Sequence, residues 1–318
     1  MNDKILSGWS RIVLNSSTIF LLCLSFGMLV FFSSCRQEPV FTEGYAVVYG
    51  LSEYIDPNAK LNYCDNDADS VTSMLIESGW TVRKKVNSSA TKIELLDDLQ
   101  WAEANATADT PFFFYFSGHG GQSVTAADSE GYGKDQYNEW IFMHDAIDGG
   151  SVYLSKAVYD DELRELIAEI PSRNKTVVID ACNSGGFIGD GAEIDGIPPN
   201  LYYGWEGFSA LGAAFRMYIN FPSSGDLNPR DAVVMAASGE QEFSYESSTL
   251  GHGVFTYFFL ESMTRGDENH DGWITISESY NYTKRELDQY WNAQYAAQYE
   301  FLPHISGGPV DYVLLQAP

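Results

Sequence analysis

Positive charge is scarce in this chain. Its 318 residues hold 18 Lys and Arg against 44 Asp and Glu, for a formal net charge of −26. No run of Lys and Arg is present, and phosphate backbones are gripped by such clusters, so no nucleic-acid partner is expected. A charged ligand of so acidic a protein is expected to be a cation. Cysteine is scarce too. Of the four cysteines, Cys23 and Cys35 lie in the opening segment, which leaves Cys64 and Cys182 for the folded part. That excludes a disulfide scaffold, although one bridge between the two remains open beside a thiol kept for chemistry. There is no G-x-S-x-G serine elbow and no glycine-rich phosphate loop opening a helix after a first strand. His144, His252, His270 and His304 show no paired zinc spacing and read as surface or packing residues. What is present is apolar material: 45% hydrophobic and 14% aromatic residues, enough for one large core or two small ones.

The first segment reads as an address. Lys4 and Arg11 precede an uncharged stretch from Ile12 to Cys35, with an apolar centre from Ile19 to Phe32. A positive start before an apolar run is the pattern of an export signal. The stretch ends in Phe32-Ser-Ser-Cys35, which resembles a bacterial lipoprotein cleavage box, with Phe32 where Leu is commoner. The resemblance implies a signal peptide over residues 1–34, Cys35 as the lipidated first residue, and a short linker over 35–42. A membrane-anchored, extracytoplasmic domain would then run over 43–318. An uncleaved membrane span is the competing reading.

Along the domain, Tyr45 to Tyr49 reads as a buried strand. Asp67 to Ser78 reads as a helix with Ala68, Val71 and Leu75 on one face. Trp80 to Val86 alternates like a strand near an edge, and Ser88 and Ser89 are candidate caps for a helix to about Ala104. Pro111 to Phe116, Thr176 to Ile179 and Ala232 to Ala236 read as apolar strands. Asp160 to Ile170 reads as an amphipathic helix. Helices from Val254 to Thr264 and from about Ser277 follow, and Val310 to Leu315 is a closing strand. This alternation predicts an α/β three-layer sandwich with a mostly parallel central sheet. The stretches 121–155 and 187–230, rich in Gly, Asp and aromatics, follow strand ends, where such sheets carry their sites.

Two strand ends carry chemistry. One strand runs into Ser117-Gly-His-Gly-Gly121, the other into Asp180-Ala-Cys-Asn-Ser-Gly-Gly186. Each is expected to put a reactive side chain in a glycine-rich turn just past a buried strand. If the strands are neighbours, His119 and Cys182 face one cleft, and an imidazole near a thiol is what a cysteine nucleophile needs. The N–H groups of Gly120 and Cys182 are candidate donors to a developing oxyanion. Taken alone, Cys182 reads as a buried structural thiol and His119 as a turn residue. The pair shifts the balance toward catalysis.

The two motifs resemble those of caspase-like cysteine peptidases, the metacaspase branch above all. The resemblance extends to Tyr63-Cys-Asp-Asn-Asp-Ala68, to Glu139 through Asp145, and to Gly251-His-Gly-Val-Phe-Thr256, so that it covers about residues 43–315. Asn183 departs from it, where many relatives carry His. The resemblance implies a caspase-like fold, His119 as general base and Cys182 as nucleophile. It also implies an acidic first specificity pocket at Cys64, Asp67, Ser117 and Asp180. Two carboxylates beside a thiol and a hydroxyl suit a guanidinium or ammonium group and repel Asp. Singly, Asp67 reads as a helix cap and Asp180 as a turn residue. The expected partners are therefore proteins or peptides cut after Arg or Lys, with the enzyme a monomer.

Residues 267–278 spell a twelve-residue calcium loop of the EF-hand type. Asp267, Asn269, Asp271 and Glu278 supply oxygens at positions 1, 3, 5 and 12, the Trp273 carbonyl serves position 7, and Gly272 sits at the turn. Bound Ca2+ is expected as a structural brace, and a polar turn is the bland alternative. Two further readings compete with a peptidase: a non-catalytic module holding basic peptides in the same cleft, and a calcium-binding surface lipoprotein with an idle dyad. Retention of both Cys and His favours the enzyme.

Overall fold

The computed structural model describes residues 43–124, 137–182, 185–188, 192–195, 232–237, 244–294, 301–307 and 312–318. Of Cys182 and of 185–188 and 192–195 it describes the backbone. The signal and linker expectations, Cys35 among them, and most of 187–230 lie outside these residues. No helix among the described residues is long and apolar enough to cross a membrane.

The chain opens with β1 (Tyr45–Gly50), α1 (Cys64–Glu77), β2 (Thr81–Val86), α2 (Lys92–Asn105) and β3 (Phe112–Val124). β4 (Tyr137–Phe142) returns antiparallel to the end of β3. A small hairpin joins β5 (Ile147–Asp148) to β6 (Ser151–Val152), and β7 (Ala157–Tyr159) leads into α3 (Asp160–Glu169). Then come β8 (Lys175–Cys182), β9 (Gly185–Ile188), β10 (Ala192–Asp195), β11 (Ala232–Ala236), β12 (Tyr245–Ser247) and β13 (His252–Gly253). Beyond them lie α4 (Val254–Arg265), β14 (Trp273–Thr275), α5 (Ile276–Leu287), β15 (His304–Gly307) and β16 (Val313–Gln316). The central sheet has the order β15-β11-β8-β3-β1-β2, and only β15 runs antiparallel along it.

Successive strand residues point to opposite faces, and both faces are covered. Val47, Tyr49, Phe114, Phe116, Val177 and Ile179 pack with Leu95 and Leu99 of α2 and Leu163 and Ile167 of α3. Ala46, Val48, Phe113, Tyr115, Val178 and Met235 pack with Val71 and Leu75 of α1 and Phe255 and Phe259 of α4. Burial on two faces is why these strands read as unbroken apolar runs instead of alternating ones. The result is the expected α/β three-layer arrangement.

Several boundaries differ from the sequence reading, and one matters to the site. The parallel ladder between β3 and β8 does not stop at Phe116 and Ile179 but continues to the pair His119 and Cys182. The expected glycine-rich turn at 117–121 is therefore strand. Its ladder partners come from β1, β8 and then β4, and this pairing overrides the weak strand preference of glycine. α1 begins at Cys64, so Asp67 lies inside its first turn instead of capping it. α2 is capped by Thr91, whose Oγ1 accepts the Glu94 N–H at 3.3 Å, while Ser88 and Ser89 sit in a short turn before it. The closing strand Val313–Gln316 pairs with β14, and the sheet itself is completed by His304–Gly307.

Candidate active site

His119 is fully buried within β3, at the last rung of its parallel ladder with β8 and in register with Cys182, the last residue of β8. Three contacts fix it. Its backbone N–H donates to Tyr54 Oη at 2.8 Å, the Tyr54 ring lies 4.9 Å from the imidazole, and Nε2 is 2.9 Å from the Ala59 carbonyl. A carbonyl can only accept, so Nε2 carries the proton and Nδ1 is left as an acceptor. Nδ1 is buried and has no hydrogen-bond partner among the described residues. Burial pushes the imidazole down to about 4, against a smaller upward effect of the Ala59 carbonyl. The ring is thus a neutral, oriented base with one free lone pair. Gly120, the other expected oxyanion donor besides Cys182, lies opposite Ile141 in the β3–β4 ladder.

Asp67 and Asp180 are drawn together from α1 and β8, and both are buried. Asp67 accepts from Ser117 Oγ at 3.0 Å, from His252 Nδ1 at 2.8 Å and from the Gly253 N–H at 3.1 and 3.2 Å. Asp180 accepts from Ser244 Oγ at 2.6 Å and from the Thr256 hydroxyl and N–H at 2.6 and 3.2 Å. Gly253 separates the two. A Cβ there would fall 2.5 Å from Asp180 Oδ2 and 3.0 Å from Asp67 Oδ2, so only glycine lets both carboxylates stand this close. Cys64 is buried and points its Sγ at Glu246 Oε1, 3.6 Å away. Glu246 also takes the N–H groups of Asn62 and Tyr63 at the start of α1, at 2.9 and 2.7 Å.

The four expected pocket residues therefore share one neighbourhood, together with residues the sequence reading missed. Ser244, Glu246 and Thr256 carried no readable signal singly. His252 was read as packing, although it lies within a segment that resembles the caspase-like pattern. The electrostatics are unusual. Burial pushes Asp67 up despite its donors, and burial together with the Asp67 charge raises Asp180 to about 7. Burial likewise raises Glu246 to about 7, against the donors from Tyr63 and Asn62. Among the described residues no Lys or Arg pairs with any of the three. Among the described residues the arrangement is a buried acidic cluster with no Lys or Arg partner, His252 alone of the basic side chains meeting Asp67.

In the loop 267–278, Gly272 takes φ +87°. Its carboxylates are engaged with the loop backbone. Asp267 accepts the N–H groups of Asp271 and Gly272 at 3.1 and 3.0 Å, Asn269 Oδ1 accepts that of Asp271 at 2.8 Å, and Asp271 Oδ1 accepts that of Trp273 at 3.1 Å. Glu278 caps α5 through Oε2 and the Thr275 N–H and hydroxyl, while its Oε1 is buried with no hydrogen-bond partner among the described residues. Among the described residues no three acidic, His or Cys side chains converge as a ready metal cage.

Comparison with known proteins adds the following. The sequence model of the caspase domain matches residues 43–307. Metacaspase-1 of Schizosaccharomyces pombe is 30% identical over 153 residues, 44% of this chain and 34% of that protein. Metacaspase-1A of Neurospora crassa is 27% identical over 155 residues, 45% of this chain and 32% of that protein. The aligned region thus spans about a third of the length of these relatives. A crystallographically determined protein of Geobacter sulfurreducens superposes with a TM-score of 0.58 over 87% of this chain and 98% of its own, at 19% identity. At that identity the likeness concerns the fold.

Proposed function

The chain belongs to the caspase domain family, and from that premise we propose that it is a cysteine endopeptidase cleaving after Arg or Lys. The observation that carries this reading is the register of His119 with Cys182 at the last rung of the parallel β3–β8 ladder, with the free Nδ1 on the imidazole. In the proposed cycle His119 Nδ1 takes the Cys182 thiol proton as Sγ attacks the scissile carbonyl carbon. The N–H groups of Gly120 and Cys182 receive the developing oxyanion. The carbon–nitrogen bond then breaks, and the imidazolium returns its proton to the leaving amine. Water, deprotonated by the same nitrogen, hydrolyses the thioester and restores the thiol. The preference for a basic side chain is supported by Asp67, Asp180 and Glu246, which are buried together and meet no Lys or Arg among the described residues. A monomer is expected. The test is a panel of fluorogenic peptides differing only in the residue before the cleaved bond. Arg and Lys should be turned over and Asp refused, and a preference for Asp would overturn the specificity.

Calcium and the membrane belong to the same proposal. The order of oxygen donors over 267–278 and the unpartnered Oε1 of Glu278 support a Ca2+ brace, with the carboxylates turning from the loop amides onto the ion. Binding to the folded state alone stabilises by about 2.7 kcal/mol at a hundredfold excess over Kd. A chelator should therefore lower the melting temperature, and Asp267→Ala should remove that response. Identical melting in chelator and in millimolar calcium would leave only a polar turn. The spelling around Cys35 supports a lipid-anchored, extracytoplasmic form. Cys35→Ser should yield a soluble or unprocessed protein in detergent partitioning, whereas a mature protein still beginning at Met1 would favour a membrane span.

A further inference from the structure

The Ala59 carbonyl that selects the tautomer of His119 belongs to a loop whose Leu51, Tyr54, Ala59 and Leu61 are buried in the core and whose Ile55 N–H donates to the His144 carbonyl at 3.1 Å. Residues 51–61 leave the end of β1 and close on themselves through the Leu61 N–H and the Ser52 carbonyl, 2.8 Å apart. Within the loop, Tyr54 and Ala59 both contact His119. A short 3-10 turn, Pro57–Ala59, aims the Ala59 carbonyl.

Asp56 ties this loop down. It is nearly fully buried, and every polar group it owns is engaged. Oδ1 accepts the Asn58 N–H and side-chain amide, each at 2.9 Å, and so caps the turn. Oδ2 accepts the Gly150 N–H at 2.6 Å. Its own N–H donates to the Ile147 carbonyl at 3.0 Å, and its carbonyl accepts the Ala59 N–H at 3.0 Å. Gly149 and Gly150, at φ +56° and +75°, form the two-residue turn between β5 and β6 that only such glycines make easily. One carboxylate thus joins the turn that carries Ala59 to the β5–β6 hairpin. The donors hold its carboxyl below the usual range.

We infer that Asp56 is a positioning residue for His119, acting through the Ala59 carbonyl to keep the proton on Nε2 and the lone pair on Nδ1. The inference rests on the cysteine-peptidase reading for its consequence but not for its geometry. Two substitutions test it. Asp56→Asn keeps the size but places an NH2 group against one of two backbone N–H donors. Asp56→Ser keeps a capping oxygen for Asn58 and has none for Gly150. Both are measured below their own melting temperatures and per titrated Cys182 thiol. The nitrogen shifts of the His119 ring should show one tautomer in the wild type. In the variants the ratio of Nε2–H to Nδ1–H should fall by up to about tenfold, the worth of one ordinary hydrogen bond. With a basic peptide substrate kcat should fall by up to about twofold with KM unchanged, in step with the share of rings that keep the lone pair on Nδ1. A lowered melting temperature with an unchanged tautomer ratio and kcat would overturn the inference. A wild-type protein that cleaves no peptide would overturn the peptidase reading instead, and the ring shifts would still decide the role of Asp56.

Discussion

Cys182→Ala is expected to reduce peptide turnover to background, and His119→Ala to reduce it by roughly 10²–10⁴-fold, the usual worth of a general base. The two effects should not add, because base and nucleophile act as one unit. The argument begins with burial. A fully enclosed imidazole with a single carbonyl partner is neutral above about pH 4, so at neutral pH the free Nδ1 is available to take a proton. The same burial has a cost in acid. The folded-state value lies below the ordinary 6.5 of His, so this group stabilises the fold above about pH 6.5. That contribution is lost as pH falls through about 4. Turnover should be measured with circular dichroism on the same samples, so that an unfolded His119→Ala is recognised as such. Full activity in folded Cys182→Ala would rule the mechanism out.

The acidic cluster should make recognition of a basic residue depend on pH near neutrality. Asp180 and Glu246 are held up to about 7, and a bound guanidinium favours their ionised forms. Binding should therefore release protons below pH 7. The apparent KM for an Arg peptide should fall by up to about tenfold per pH unit for each proton released, then level off above 7. In the empty protein the sign is opposite. Asp180 holds a proton in the folded state that the unfolded chain has already lost. Its stabilising effect is present below about pH 3.8 and vanishes as pH rises through about 7. Asp180→Asn should flatten the KM profile, and it should cost Arg peptides about 2–5 kcal/mol, roughly 30-fold to several thousand-fold. A neutral peptide should lose far less. A KM for Arg peptides independent of pH in both proteins would mean that the cluster does not touch the substrate.

Local chemistry was legible in the sequence, and long-range partnership was not. Phe112 to Phe116 and Val177 to Ile179 announced themselves because a strand buried on both faces must be apolar throughout. His119 and Cys182 were found because reactive side chains among glycines at strand ends are conspicuous. Their secondary structure was misjudged, since glycine argues for a turn until a neighbouring strand supplies partners. Asp67, Asp180, Ser117 and Cys64 emerged through family resemblance, not through spacing. Glu246 gave no warning: its partner Asn62 lies 184 residues away. His252, 185 residues from Asp67, could only be read as packing. Helix periodicity carries no information about contacts of that span.

The placement of the few cations bears on how a substrate arrives. Arg83 is held against Asp97 and Asp98, Lys84 against Asp69 and Lys85 against Glu94, all along the edge strand β2. Lys92, Lys156, Arg265 and Arg285 are likewise held by Glu162, Asp145, Glu261 and Glu268. Positive charge consumed in such pairs casts almost no field at a distance, so what an approaching chain senses is the unbalanced acid. A polypeptide rich in Lys and Arg is drawn in over about one Debye length, roughly 8 Å at physiological salt, and an acidic one is turned away. On the proposed specificity, discrimination between them starts as a difference in encounter frequency, before any side chain reaches Asp67, and it weakens as ionic strength rises.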